Sequence, residues 1–160
     1  MTTLPAPAQT AVPQRRACLV TLAGFRFAVE VRHAREVVVF DEYTIVPLAP
    51  AYLLGVASLR GNIMPVVDVR PLLGMAPAVV GHDVRALVVE RDGVKVGLLI
   101  DEVLGLEPLD GPSPVHDGDD PGADRMIAGR LQREDGDVAL LDVHALLTAM
   151  GGDTDEKALA

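Results

Sequence analysis

The sequence predicts an all-β protein. Three features of its 160 residues carry that prediction: apolar runs too short for helices, turn signals between them, and no sustained 3.6-residue apolar period. Many short strands of this kind close into a barrel or stack as a sandwich, whereas a parallel sheet would need long crossover helices. An apolar fraction of 49% supplies the core; with 3% aromatics and no Trp, that core must be aliphatic.

Residues 1–14 hold Pro5, Pro7 and Pro13 without an apolar period and are expected to form a flexible leader ahead of one domain over 15–150. A first block, about residues 17–75, opens with Leu19–Leu22, a turn at Gly24, and Phe25–Val31. In the last run Phe25, Phe27, Val29 and Val31 alternate with Arg26, Ala28 and Glu30, the pattern of a half-buried strand. His33–Val38 is short and mixed and is expected to make one helical turn. Tyr43–Leu48 should be extended, bounded by Pro47 and Pro50. Leu53–Leu59 and Ile63–Val67 flank Arg60-Gly61-Asn62, a hairpin signal.

A second block, about residues 82–141, repeats the style. Ala86–Glu90 and Val94–Ile100 flank Arg91-Asp92-Gly93, a stronger hairpin signal, and Val103–Leu109 follows, broken by Gly105 and Pro108. Residues 110–124 form a Pro-rich loop with five Asp and no Lys or Arg. Met126–Leu131 and Val138–Leu141 are strands around Asp135-Gly136, 142–150 reads as a closing helix, and 151–160 as a flexible polar tail.

The blocks echo one another. Val66-Val67-Asp68-Val69-Arg70-Pro71-Leu72-Leu73 resembles Leu140-Leu141-Asp142-Val143-His144-Ala145-Leu146-Leu147: strand, then Asp, then a short amphipathic helix. Asp at such a junction accepts a hydrogen bond from the free N–H groups of the first helical turn. Pro71 falls in that turn, where its missing N–H does no harm. Two blocks ending in one device suggest two similar barrels.

Charge and motifs exclude several functions. With a net charge of −9 and no basic stripe, the chain lacks the footprint of a nucleic-acid or anionic-membrane binder. One cysteine, Cys18, lies within an apolar run, so no internal disulfide forms and a reducing, cytoplasmic setting is expected. No signal peptide and no spanning segment is evident, so direct membrane insertion is not expected. His33, His82, His116 and His144 lack metal-ligand spacing and are expected to face solvent, so no metal or cofactor is anticipated. Ser58 is not in a nucleophile elbow, and phosphate-binding glycine loops are missing. Asp68 and Asp142 are expected to cap, and Asp101 and Glu102 to end a strand as solvated charge. The enzymatic alternative is a hydrolase pairing Asp68 with Asp101 across a cleft.

Leu54–Gly74, LGVASLRGNIMPVVDVRPLLG, resembles the signature of the CheW-like domain: a Gly-Val strand, Leu-Arg-Gly, then Ile-x-Pro-Val followed by Asp and Arg between apolar residues. Ala28–Val31 with Arg35-Glu36-Val37, then Tyr43–Leu48 with Pro50, Val96–Val103, and Asp124 to Leu147 are similar to that family's other segments, in order, over roughly residues 17–150. The resemblance implies two five-stranded SH3-like β-barrel subdomains sharing a hydrophobic core, with short helices. It also implies a non-catalytic scaffold that couples the cytoplasmic tip of methyl-accepting chemoreceptors to the regulatory domain of the histidine kinase CheA. As a stand-alone adaptor it would be cytoplasmic and recruited to membrane receptor arrays.

Carried over by motif, the receptor-binding residues would be Glu36, Val37, Gly55, Leu59, Arg60, Val103 and Leu106, while no kinase-binding residue is assigned. Arg60 would hold Glu36 through two parallel hydrogen bonds beside the receptor groove. Gly55 would let a partner backbone approach closely. Ala34 stands where the family usually has a larger apolar residue, and loop 110–124 diverges. The same scaffold wired to a pilus-motility or other CheA-like pathway is the alternative within this family.

Overall fold

Three two-residue turns set the sheet register. Ala23-Gly24, Arg60-Gly61 and Asp92-Gly93 all have positive φ, from 50° to 85°. Turns of that hand match the twist of antiparallel strands, and glycine at the second position avoids the steric cost of a Cβ there. In this computed structural model residues 15–109 and 125–150 are described. The turns join β1 (Arg16–Leu22) to β2 (Phe25–Glu30), β4 (Leu53–Leu59) to β5 (Asn62–Val67), and β6 (Val84–Arg91) to β7 (Val94–Leu99). The other strands are β3 (Ala34–Phe40), β8 (Glu102–Pro108), β9 (Ile127–Leu131) and β10 (Val138–Leu141). Residues 143–150 form a helix. The expected leader, the acidic loop 110–124 and the tail lie outside the described residues.

The strands form two five-stranded sheets, ordered β8-β1-β2-β10-β9 (sheet A) and β3-β6-β7-β5-β4 (sheet B). Shifting strand numbers by five converts one order into the other, so β1–β5 and β6–β10 are two runs of identical connectivity. This is the duplication that the Asp68 and Asp142 echo announced. The sheets nevertheless do not follow the expected contiguous blocks 17–75 and 82–141. β1 and β2 belong with β8–β10, and β3–β5 belong with β6 and β7. The chain changes sheet after β2 and again after β7, so each half completes the other.

That exchange explains the burial. One apolar cluster fills sheet B with Phe40, Ala57, Met64, Val66, Val84, Ala86, Val88 and Leu99. Another fills sheet A with Ala17, Leu19, Ala28, Leu131, Val138 and Leu140. A third lies between the sheets, where Cys18, Val20, Leu22 and Val29 meet Val67, Leu87, Val89 and Leu98, roofed by Val143, Leu146 and Met150. Alternate residues of β1 and β6 therefore point into a barrel interior and into the shared core. Strands buried on both faces need continuous apolar runs. β2 departs from the expected half-buried pattern for the same reason: Ala28 and Glu30 are buried as well as Phe27 and Val29.

The helical turn expected over His33–Val38 sits earlier, as a 3-10 turn at Val31–His33, and Glu36 and Val37 are strand residues. The crossover to sheet B has to be made immediately after β2, and the β-branched Val37, Val38 and Val39 favour the extended chain. Both Asp side chains accept a first-turn N–H as expected, although the cap position of the 3-10 segment is held by Val69, one residue after Asp68. Asp142 accepts the Ala145 N–H at 2.9 Å, and Asp68 accepts the Arg70 N–H at 3.0 Å. Pro71 lies in the first turn of the 3-10 segment Arg70–Leu73.

Leu87→Ala in the shared core should cost about 2–5 kcal/mol, whereas Leu104→Ala on the exposed side of β8 should change stability by less than about 0.5 kcal/mol. Urea unfolding with unchanged denaturant dependence measures both.

Candidate functional site

β3 and β4 are the two edges of sheet B, yet they meet. Arg60, at the turn after β4, reaches Glu36 on β3. Its Nη2 lies 2.8 Å from Oε1 and 3.1 Å from Oε2. The expected two parallel bonds are replaced by one nitrogen straddling both carboxylate oxygens. The contact clasps the sheet into a barrel and leaves a groove of about 540 Å³ along the seam, lined by 38–44, 56–59 and Ile63. Part of the β4 edge is covered where Thr44 and Val56 exchange backbone hydrogen bonds at 2.8 and 2.9 Å.

Sheet A repeats the device. Arg133, after β9, donates to Oε2 of Glu107 on β8 from Nε at 2.9 Å, and its Nη2 lies 2.7 Å from the same oxygen. β8 and β9 are likewise the opposite edges of their sheet. The resemblance assigned a role only to the first clasp; of the second, Arg133 lies within a family-like segment but Glu107 lies outside all of them.

The seven receptor-binding candidates do not form one cluster. Glu36, Arg60 and Leu59 gather at the sheet B seam. Gly55 is buried, and the backbone packed against it is this chain's own: a Cβ there would collide with the Thr44 carbonyl and crowd Tyr43. The expectation that Gly55 admits a partner is thereby corrected, because the Thr44–Val56 bridge already fills that space. Val37 lies on β3, while Val103 and Leu106 lie on β8 in sheet A.

Register relates these last three. Val37 pairs with Leu87, Val103 with Val20 and Leu106 with Cys18, and all three partners belong to the shared core. The edge strands β3 and β8 thus extend the two core-forming faces past their covered width. Val37, Val39, Val103 and Leu106 remain 42%, 57%, 39% and 52% exposed. Val39 carries no family signal in the sequence and joins the set only through its alternation with Val37.

Asp101 ends a strand with an exposed carboxylate, as expected, but that carboxylate is paired. Arg70, 3% exposed, donates to Asp68 at 3.2 Å and to Asp101 at 2.6 Å. The two carboxylates of the hydrolase alternative share a guanidinium, and Asp68 also accepts the Ala78 N–H at 2.8 Å. Arg70 thus stands between the two carboxylates. Glu102 is exposed as expected, and so are His82 and His144, but His33 is half-buried. Burial, aided by Arg32 and Arg91, pushes His33 below its ordinary pKa. Burial likewise raises the Cys18 thiol, as suits an inert core residue.

Arginines scattered in sequence collect in space around Glu30, at the first crossover. Arg15 donates to both its oxygens, at 2.7 and 3.2 Å, and Arg32 lies 2.8 Å away. The Arg15 hydrogen bond holds the Glu30 carboxyl below the ordinary carboxylate range, against the opposing effect of desolvation, and Arg32 and His33 lower it further.

The family model described as the CheW-like domain matches residues 16–150. The chain belongs to the CheW-like family. Among CheW-like relatives, a probable chemotaxis protein CheW of Rhizobium etli is 39% identical over 79 residues, 48% of this chain and 50% of that one. Protein PilI of Pseudomonas aeruginosa is 33% identical over 91 residues, 56% of this chain and 51% of that one. The matches span about half the length of these relatives. The crystal structure of the scaffolding protein TtCheW from Thermoanaerobacter tengcongensis superposes with a TM-score of 0.74 at 25% identity, covering 86% of this chain and 90% of that one. The paired five-stranded sheets are accordingly the CheW-like fold. No helix among the described residues is long and apolar enough to cross a membrane.

Two outcomes follow from this geometry. Gly55→Ala should destabilise the fold by about 1–3 kcal/mol through overpacking against Thr44, read by urea unfolding. Glu30 has a folded pKa below its unfolded one, so its contribution is present above the unfolded value and lost as pH falls through the folded one. Glu30→Gln should therefore lower the melting temperature at neutral pH, with the gap to wild type closing as the solution is acidified below the carboxylate range. A gap that persists at low pH would assign the effect to packing.

Proposed function

We propose that the chain is a chemotaxis scaffold that couples chemoreceptors to the histidine kinase CheA by protein–protein binding, without catalysing a reaction. The observation that carries this reading is the CheW-like match over residues 16–150, joined to an exposed apolar rim on both edge strands. Apolar side chains left exposed along the margin of a packed core suit a helical partner that lays an apolar stripe against them. The receptor tip would contact Val37, Val39, Val103 and Leu106. Glu36 and Arg60 would hold the first barrel's seam beside that surface, and Leu59 would lie under it. The CheA regulatory domain would bind elsewhere on the same molecule, so that receptor and kinase are held together in the cytoplasm at a membrane array.

The likeness to PilI favours a second reading, in which the same adaptor serves a pilus-motility or other CheA-like pathway. The physical chemistry of docking is the same in both, and the partners differ.

The test is reconstitution. Purified protein mixed with a receptor cytoplasmic fragment and the CheA regulatory domain should co-sediment with both, and it should hydrolyse neither ATP nor ester substrates. Recovery of neither partner would sink the adaptor reading. Recovery of the kinase domain with a pilus-system receptor alone would select the second. Arg60→Glu places two like charges across the seam and should weaken receptor-dependent kinase control by about tenfold or more while leaving the fold intact, since the side chain is exposed. Unchanged kinase control in that variant would remove Arg60 from the site.

A further inference from the structure

Asp101 stands where the chain leaves β7 in sheet B and enters β8 in sheet A. Four of its groups are engaged at once. Its N–H donates to the Thr21 carbonyl at 2.9 Å, and its own carbonyl accepts from Arg85 Nη1 at 2.7 Å. Its Oδ1 accepts from Arg70 Nη2 at 2.6 Å, and its Oδ2 from the Ala23 N–H at 2.7 Å. One residue therefore touches β1, the β1–β2 turn, β6 and the 3-10 turn that follows β5. Arg85 lies opposite Val39 on β3, and Val103, two residues beyond Asp101, lies opposite Val20 on β1. Residue 101 thus lies next to both rims: its backbone carbonyl holds Arg85, opposite Val39, and its carboxylate ties the chain to Arg70 and the β1–β2 turn two residues before Val103.

Stability alone does not account for the arrangement. Burying a guanidinium carries a desolvation penalty, and apolar residues of similar volume often replace a buried ion pair with no loss of stability. What the charges add is direction. Asp68, fixed by the N–H groups of Arg70 and Ala78, holds one side of the Arg70 fork, so that Nη2 meets Asp101 at a set angle.

We propose that Arg70 and Asp101 are positioning residues for the docking surface: their ion pair fixes the start of β8, and with it the spacing between the apolar rims of β3 and β8. The proposal rests on the reading of those rims as receptor-facing, and its test separates the two. Asp101→Ala removes both side-chain bonds. Asp101→Asn keeps the shape and an acceptor for Ala23 but gives up the charge pairing with Arg70, and serves if the first variant does not fold. Hydrogen exchange of the backbone amides and titration with a receptor cytoplasmic fragment and with the CheA regulatory domain are measured on each.

The expected result is exchange at residues 103–107 faster by about tenfold, with amides of β4–β7 unchanged. Receptor affinity should fall by a similar factor while affinity for the kinase domain is kept within about twofold. Unchanged exchange in β8 overturns the proposal whatever the receptor does. Exchange faster throughout both sheets, with both affinities falling together, also overturns it, because that is the signature of a merely structural pair. Faster exchange confined to β8, in a protein whose wild type binds no receptor fragment, supports the positioning of β8 and counts against the receptor-facing reading instead.

Discussion

Two twisted sheets press aliphatic faces together here: sheet B is one contiguous run of chain, β3–β7, and sheet A is closed around it by β1 and β2 from before that run and β8–β10 from after it. The shared core of Val20, Val29, Leu87 and Leu98 is the constraint behind most of the remaining structure. Because each half lends strands to its partner sheet, the apolar contacts that stabilise one barrel also set the orientation of the second. A single core filling both roles ties the two sheets to each other.

Polar chemistry concentrates where the chain changes sheet. At the first crossover Glu30 is held by Arg15 and Arg32, and at the second Asp101 is held by Arg70. The backbone there is leaving one hydrogen-bonded ladder and joining another, and carboxylates with several acceptor sites can tie the two together. The same economy appears at the seams, where Glu36 with Arg60 and Glu107 with Arg133 clasp opposite sheet edges. Exposed edges invite unwanted strand pairing, and a charged clasp closes them without adding apolar surface.

The strands other than β3, the glycine turns and the Asp caps were legible because each depends on a few adjacent residues. Asp92-Gly93 and Asp142 could be read from local geometry alone. Sheet membership was not legible, since period-2 alternation says that a strand has two faces and not which sheet it joins. Val37 shows the same limit: its apolar character was evident, but its place at the rim depends on Leu87, fifty residues away. Gly55 was read as an opening for a partner because the chain that fills it, Thr44, precedes it across a loop without a register signal. Asp101 is exposed as read, but its pairing was not legible because its counter-ion, Arg70, lies thirty-one residues upstream.

The placement of the exposed apolar residues follows from the duplication itself. Two copies of one strand plan, joined by exchange, put equivalent edge strands β3 and β8 at the margins of the shared core. Among the described residues no further strand covers either of them. Adding a strand would extend the sheet and bury Val37, Val39, Val103 and Leu106, but it would also end the equivalence of the two halves. The exposed rim is thus a consequence of closing a duplicated five-strand unit on itself. Exposed apolar residues at such a margin can be covered by another surface without disturbing the strand exchange.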